Sequence, residues 1–176
     1  MRPHRSPWRA LLLALPLATL LAGCGLTQKV SQGTASATRA LFYPSVDTLH
    51  LEFSARAALN ADDTGIAVPT VVRVYALGDR TAFDAASYQQ LLTQADSVLN
   101  IHKADTKEVR VMPGYGATLN VPLDEHAQFV AVVALFQSPD LRHNTWRQVI
   151  PRDALQPDAP RILDLQNNTL TIRPLP

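Results

Sequence analysis

Phe129-Val130-Ala131-Val132-Val133-Ala134-Leu135-Phe136 is the longest apolar run in the chain beyond residue 24. It is bounded by Gln128 and Gln137, and most of its residues are β-branched or aromatic. At this length it is far short of the roughly 20 residues that a membrane-spanning helix needs, and its composition is that of a strand. The run therefore reads as the central strand of a sheet. Moving toward the C-terminus, residues 137–144 read as a loop and Trp146-Arg147-Gln148-Val149-Ile150 as the next strand, with Trp146 either a large piece of core or a lid over one end of the fold. Residues 151–160 are proline-rich and read as a loop. Residues 161–165 and 169–173 form a closing hairpin around Gln166-Asn167-Asn168, in which Leu163 and Leu165 answer Leu170 and Ile172.

Toward the N-terminus, residues 107–111 read as a short strand, Pro113-Gly114 as a turn, residues 117–121 as the hairpin partner of 107–111, and residues 122–126 as a connection. Before them the periodicity is helical: Phe83, Ser87, Leu91 and Ala95, with Tyr88, Leu92 and Leu99, recur at spacings of three and four. This predicts either one helix of about 12 residues or two short turns divided near 93–96, laid across the sheets, with Thr81 or Asp84 as N-terminal cap. Thr70-Val71-Val72-Arg73-Val74-Tyr75-Ala76-Leu77 is a strand with apolar character on both faces, as expected of an interior strand with a helix or linker over its second side. Arg73 on it reads as a partly covered, ion-paired residue. Earlier still, Leu49, Leu51, Phe53 and Ala55 alternate with His50, Glu52, Ser54 and Arg56, which is the pattern of a strand with one buried and one wet face. The sum is an all-β fold: a two-sheet β-sandwich of seven to eight strands with a short helical insertion.

Between the first two strands, residues 57–68 read as a loop rich in turn formers. Asn60, Asp62 and Asp63 lack the twelve-residue order and terminal glutamate of a calcium loop, so an ordinary turn is the better reading. Ile66 and Val68 put apolar side chains into this polar stretch, and such residues are either tucked against the sandwich or offered to a partner.

The N-terminus has a different logic. Arg2, Arg5 and Arg9 precede an uncharged stretch that ends at Leu21-Ala22-Gly23-Cys24, with Cys24 the only cysteine in the chain. A basic region, an apolar core of about 13 residues and a small-residue cleavage context make a secretory signal rather than a membrane span. Leu-Ala-Gly-Cys in that place resembles the bacterial lipobox, which implies a diacylglycerol on the Cys24 thiol and an N-acyl chain on the new amino terminus. Two or more acyl chains, at about 0.8 kcal/mol per buried methylene, hold a protein on a bilayer. The organisation expected is a signal peptide at 1–23, a lipidated cysteine and flexible tether at 24–45, and a sandwich domain at 46–176. The tether reaches at most about 3.3 Å per residue when extended. Within it, residues 40–43 are less polar and read as a segment packed on the domain.

The sequence shows no catalytic motif. It has no glycine-rich phosphate loop, no His-Glu-x-x-His and no nucleophile elbow. His50, His102, His126 and His143 are scattered singly. Cleavage after residue 23 leaves 13 basic and 15 acidic residues, a balance of about −2 that argues against nucleic-acid binding. With its only cysteine acylated, the domain has no disulfide, thiolate ligand or thiol nucleophile. An anchored, non-enzymatic module that needs no cofactor is the economical reading; the alternative is a periplasmic small-ligand or peptidoglycan-binding lipoprotein, which requires a concave pocket near Trp146 or Tyr75.

Several stretches in order, LNADDTGIAVPTVVRVYAL (59–77), AFDAASYQQLL (82–92), PGYGATLNVPL (113–123), FVAVVALFQSPD (129–140) and TWRQVI (145–150), make the chain similar to the outer-membrane lipoprotein of the type VI secretion system, the TssJ or SciN family. The most specific positions are Asn60 with Asp62 before Pro69, Arg73 with Tyr75, Phe83, Pro113-Gly114, Phe136 and Trp146-Arg147. Val68 and Thr70 depart from the residues that often flank this proline in the family, and residues 138–145 are slightly irregular. The resemblance implies a transthyretin-like sandwich tethered by its lipid to the inner leaflet of the outer membrane. It also implies a partner, the periplasmic C-terminal domain of TssM, with TssL reached indirectly through TssM. A principal contact of the family with TssM is the connection between the first two strands, which places Asn60, Ala61, Asp62, Asp63, Thr64, Gly65 and Ile66 at the interface and favours Ile66 as an apolar anchor within a polar rim.

Overall fold

In this computed structural model the described residues are 45–62, 64–102 and 105–175. The expectations for the signal peptide, for Cys24, for the tether up to residue 44 and for Asp63 lie outside them. The apolar run that begins at Phe129 forms β5 (Phe129–Leu135), with Val130, Ala131, Val132, Val133 and Ala134 all at 1% exposure or less. It is flanked by two antiparallel neighbours, β2 (Thr70–Leu77) and β6 (Arg147–Pro151), and β3 (Lys107–Val111) lies beyond β2. In the register of this sheet, Val72, Val74, Val132, Ala134 and Ile150 share the face turned into the sandwich, while Tyr75, Leu77, Ala131 and Val133 share the face under the helices. Burial on both faces is why β5 shows no polar alternation.

The opposing sheet has the order β4-β1-β7-β8. Its strands are β1 (Thr48–Leu59), β4 (Gly116–Pro122), β7 (Arg161–Asn167) and β8 (Thr169–Ile172). Leu49, Leu51 and Phe53 of β1 are at most 2% exposed, and they meet Leu163 and Leu165 of β7, which runs parallel to β1. The closing hairpin has the register read from the sequence, Leu163 opposite Ile172 and Leu165 opposite Leu170. The molecule is an all-β, transthyretin-like two-sheet sandwich of four plus four strands with a helical insertion.

Three expectations are corrected. First, β3 and β4 are not a hairpin: β3 pairs with β2 and β4 with β1, in different sheets. The turn between them passes from one sheet to the other because Gly114 N–H donates to Arg56 O and Ala55 N–H donates to Tyr115 O, both on β1. Second, β1 continues through residues assigned to the loop and ends at Leu59, which is fully buried. Third, the helical stretch is three short helices, α1 (Thr81–Ala85), α2 (Tyr88–Thr93) and α3 (Ala95–Leu99). Ala86 is extended, and Ser87 starts a new helix through a capping box with Gln90, so neither Thr81 nor Asp84 caps the main helical turn. The apolar spacing survives the breaks, since Phe83, Leu91, Ala95 and Leu99 all face the sheet as buried residues.

Arginines fasten these connections to the sandwich. Arg147 donates to the carbonyls of Phe83, Asp84 and Ala86 at the end of α1, and Arg73 donates to Leu91 O and Leu92 O at the end of α2 while pairing with Glu108 at 2.7 Å. A guanidinium satisfies the orphan carbonyls of a helix C-terminus and complements its dipole. Trp146 is 1% exposed, edge-on to Tyr88 at 5.0 Å, and belongs to the core. Among the described residues, no helix is long and apolar enough to cross a membrane.

Replacing Leu165, fully buried between the sheets, by alanine lowers the unfolding free energy by about 2–5 kcal/mol. Urea titration reads this as a lower midpoint with an unchanged slope, and an unshifted midpoint would remove Leu165 from the core.

Candidate partner-binding site

The connection between β1 and β2 is built from a buried base to an exposed tip. At the base, Asn60 takes a left-handed conformation, φ 49°, at 2% exposure. Its N–H donates to Asn167 O at 2.7 Å, its Nδ2 donates to Pro69 O at 3.3 Å, and its Oδ1 accepts from Gln137 N–H at 2.8 Å. Asparagine suits both demands, since it tolerates the left-handed region and brings a donor and an acceptor together. Above it, Ala61 and Ala67 form an antiparallel bridge.

Asp62 closes the tip. Its Oδ1 accepts from Thr64 N–H at 2.9 Å, Thr64 Oγ1 at 2.7 Å and Ile66 N–H at 2.9 Å, while its backbone donates to Ile66 O and accepts from Gly65 N–H. Gly65 sits at φ 81°, where a side chain would be strained. The outcome of this clasp is Ile66, held by its own backbone with a side chain 62% exposed. Of the two readings left open by the sequence, the structure excludes the tucked one, since the Ile66 side chain is exposed. The hydrogen bonds from Thr64 and Ile66 hold the Asp62 carboxyl below its ordinary value of 3.8. Because the folded value is depressed, the clasp is fully present above pH 3.8 and is lost only as the pH falls through a lower value.

The predicted residues thus divide by role. Thr64, Gly65 and Ile66 form the exposed tip, Ala61 and Asp62 are half-buried and hold it, and Asn60 faces inward and positions the whole connection. Gln137, 77 residues from Asn60, completes that base, and nothing in its spacing marks it in the sequence.

The other chemistry-bearing residues stay apart. His50 bonds Asn120 on the outer face of the β1 sheet, His126 lies 3.5 Å from Glu125 at the start of β5, and His143 pairs with Asp140 in the β5–β6 connection. Among the described residues, no three His, Cys, Asp or Glu side chains gather as a metal site. A cleft of about 670 Å³ does lie beside Tyr75, between the α2–α3 junction and β3. Its cation, Arg73, is already committed to Glu108 and to the carbonyls of α2.

Residues 47–173 match the family model described as type VI secretion lipoprotein, VasD, EvfM, TssJ. The chain belongs to this family. It is accordingly a lipid-anchored lipoprotein of the type VI secretion membrane complex, held at the outer membrane on its periplasmic face. It is similar to a chain of the structure described as "T6SS protein TssM C-terminal domain (869-1107) from EAEC", with 41% identity and a TM-score of 0.67 over 74% of this chain and 100% of that one. A chain of a "Type VI membrane complex" has 42% identity and a TM-score of 0.69, over 74% and 100% of the two chains. The lipoprotein TssJ1 from Pseudomonas aeruginosa has 29% identity and a TM-score of 0.56, over 74% and 98%. None of the curated proteins matches the chain.

Two substitutions separate base from tip. Asn60→Ala leaves Gln137 N–H and Pro69 O without partners and costs the fold about 1–3 kcal/mol. Asp62→Ala leaves the melting temperature nearly unchanged but accelerates amide exchange at Ile66, because the carboxylate that protects that amide is gone. An unchanged exchange rate at Ile66 would mean that Asp62 does not organise the tip.

Proposed function

We propose that this TssJ-family lipoprotein is the outer-membrane anchor point of the secretion complex and holds the periplasmic C-terminal domain of TssM through the β1–β2 connection. Residues 1–23 are removed as a signal peptide, Cys24 carries a diacylglycerol and an N-acyl chain seated in the inner leaflet of the outer membrane, and residues 24–45 are the tether. TssL is engaged indirectly, through TssM. The observation that carries the reading is Ile66, a large apolar side chain 62% exposed on a loop whose backbone is already fixed. Preorganisation of this kind lowers the conformational cost of binding, and an apolar anchor within a polar rim is the common form of an interface hot spot. The likeness to a chain in a structure described by the TssM C-terminal domain supports the choice of partner.

Two measurements test the two ends of the protein separately. Cys24→Ser moves the protein from the outer-membrane fraction to the soluble periplasm and abolishes secretion; continued cofractionation in cells lacking TssM would rule out anchoring through Cys24. Ile66→Asp weakens binding of the TssM domain by about tenfold or more in calorimetry with an unchanged melting temperature. Equal affinity would take the connection out of the interface.

A further inference from the structure

The β1–β2 connection does not stand alone at its end of the sandwich. Thr70 is opposite Val111, Val71 is opposite Leu135, and Leu59 is opposite Asn167, so the β1–β2, β3–β4, β5–β6 and β7–β8 connections all leave from one pole. Val46, by contrast, lies at the other pole, where Arg152 binds its carbonyl together with those of Asp124, Glu125 and Ala127. The described chain therefore begins at the end opposite to Ile66.

The distribution of exposed apolar residues follows the same division. Among the described residues the large exposed apolar side chains include Ile66 at 62%, Met112 at 46%, Tyr115 at 71% and Leu141 at 60%, and all four are on connections of the Ile66 pole. Only Leu92 and Leu175 of that group lie elsewhere. Scattered single apolar residues need no explanation, but four gathered on one pole do.

Each of the four is displayed by a turn fixed from within. Met112-Pro113-Gly114-Tyr115 is a type II turn: Tyr115 N–H donates to Met112 O at 3.1 Å, proline is second, and Gly114 supplies φ 77° in the third place. Met112 and Tyr115 are its first and last residues, both exposed, and Ala55 and Arg56 of β1 hold it down. Leu141 follows Asp140, whose Oδ1 accepts from the N–H groups of Arg142 and His143 at 3.0 Å each. Ile66 is held by the Asp62 clasp. Rigid aromatic and aliphatic side chains on prepaid turns are what a binding surface needs and what a core does not.

Charge points the same way. Arg56 and Arg110 flank the β3–β4 turn, one on each sheet, and Arg142 follows Leu141; all three are exposed, and their guanidinium groups have no partner among the described residues. The carboxylates described at this pole, Asp62 and Asp140, are occupied by their own turns. The β3–β4 turn at this pole thus carries exposed apolar side chains at Met112 and Tyr115 with a cation on either side, Arg56 and Arg110.

We infer that the whole pole, and not the β1–β2 connection alone, is the docking surface, with Met112 and Tyr115 as a second apolar anchor and Arg56 and Arg110 as a cationic rim. The occupant it fits is a protein face with apolar pockets edged by carboxylates. Resting on the function proposed above, that face belongs to the TssM C-terminal domain. Apolar anchors set the lifetime of such a complex, and rim charges set its association rate and salt dependence.

The experiment uses the full-length lipoprotein in detergent and the TssM periplasmic domain, with kinetics followed by surface-based binding at several ionic strengths. Four variants are compared with the unaltered protein: Ile66→Asp, the pair Met112→Ser and Tyr115→Ser, the pair Arg56→Glu and Arg110→Glu, and Leu92→Ser as a control away from the pole. All substitutions are at exposed positions and leave Pro113-Gly114 intact, and circular dichroism melting checks each fold. The serine pair weakens binding by about tenfold, chiefly through faster dissociation. The glutamate pair slows association and flattens its salt dependence, and Leu92→Ser binds as the unaltered protein does. If Ile66→Asp weakens binding and both pairs bind normally, the wider surface is wrong and the β1–β2 reading stands. If the unaltered protein does not bind the TssM domain at all, that reading falls and takes the inference with it. If the serine pair changes self-association in sedimentation but not TssM binding, the patch serves a second copy of the chain and the inference is overturned.

Discussion

One buried residue ties the Ile66 pole together. Asn60 bonds backbone groups at Pro69, Gln137 and Asn167, and so joins the end of β1 to the start of β2, the end of β5 and the β7–β8 turn. A buried amide without partners would be costly, but here donor and acceptor are both used, and the left-handed backbone that reverses the chain is one asparagine tolerates. These directional bonds add to those from Gln148 Nε2 to Leu170 O and from Leu170 N–H to Thr145 O, which also join the two sheets. The exposed tip beyond Asn60 inherits this rigidity: Asp62 can fix Ile66 because the two ends of the loop are already in place.

The other pole and the helical insertion use a different device for the same problem. Without a disulfide in the folded domain, irregular connections must be held by hydrogen bonds to their own carbonyls. Arg152 gathers four carbonyls around the start of β5 and Val46, Arg147 gathers three at the end of α1, and Arg73 two at the end of α2. Guanidinium groups suit this work because one planar fork serves several acceptors without needing a counter-charge in contact. A consequence is that these guanidinium groups are committed within the fold, whereas those of Arg56, Arg110 and Arg142 have no partner among the described residues.

Much of this was legible in residue order wherever a periodic burial pattern was the cause. The alternation in β1, the apolar run of β5 and the leucines of β7 and β8 each followed from one physical rule, and the family resemblance named the same sandwich. What could not be read were pairings settled by distant partners. Residues 107–111 and 117–121 have the spacing of a hairpin, yet the turn between them is bonded to β1 and sends the two strands to different sheets. Residues 57–59 looked like loop because their turn-forming neighbours dominate the window, while Leu59 in fact pairs with Asn167. Asn60 illustrates the limit for the site: its type and place suggest a polar loop residue, and only the approach of Gln137 turns it inward. Ile66 was the reverse case, since no local signal distinguishes an offered side chain from a tucked one, and its exposure depends on the clasp below it.

The separation of the two poles carries the functional argument furthest. Arg152 binds Val46 O at one end of the strands, and Ile66 lies at the other end. β1 itself joins them, running from Thr48 to Leu59 with its inner face in the core along most of its length. That strand is held by β4 on one side and β7 on the other, so a force applied along it is borne by paired hydrogen bonds and not by a loop. On the function proposed above, load would enter through the ladder of hydrogen bonds that defines the fold, and the proposed recognition surface lies beyond it, attached to the same strand through Asn60.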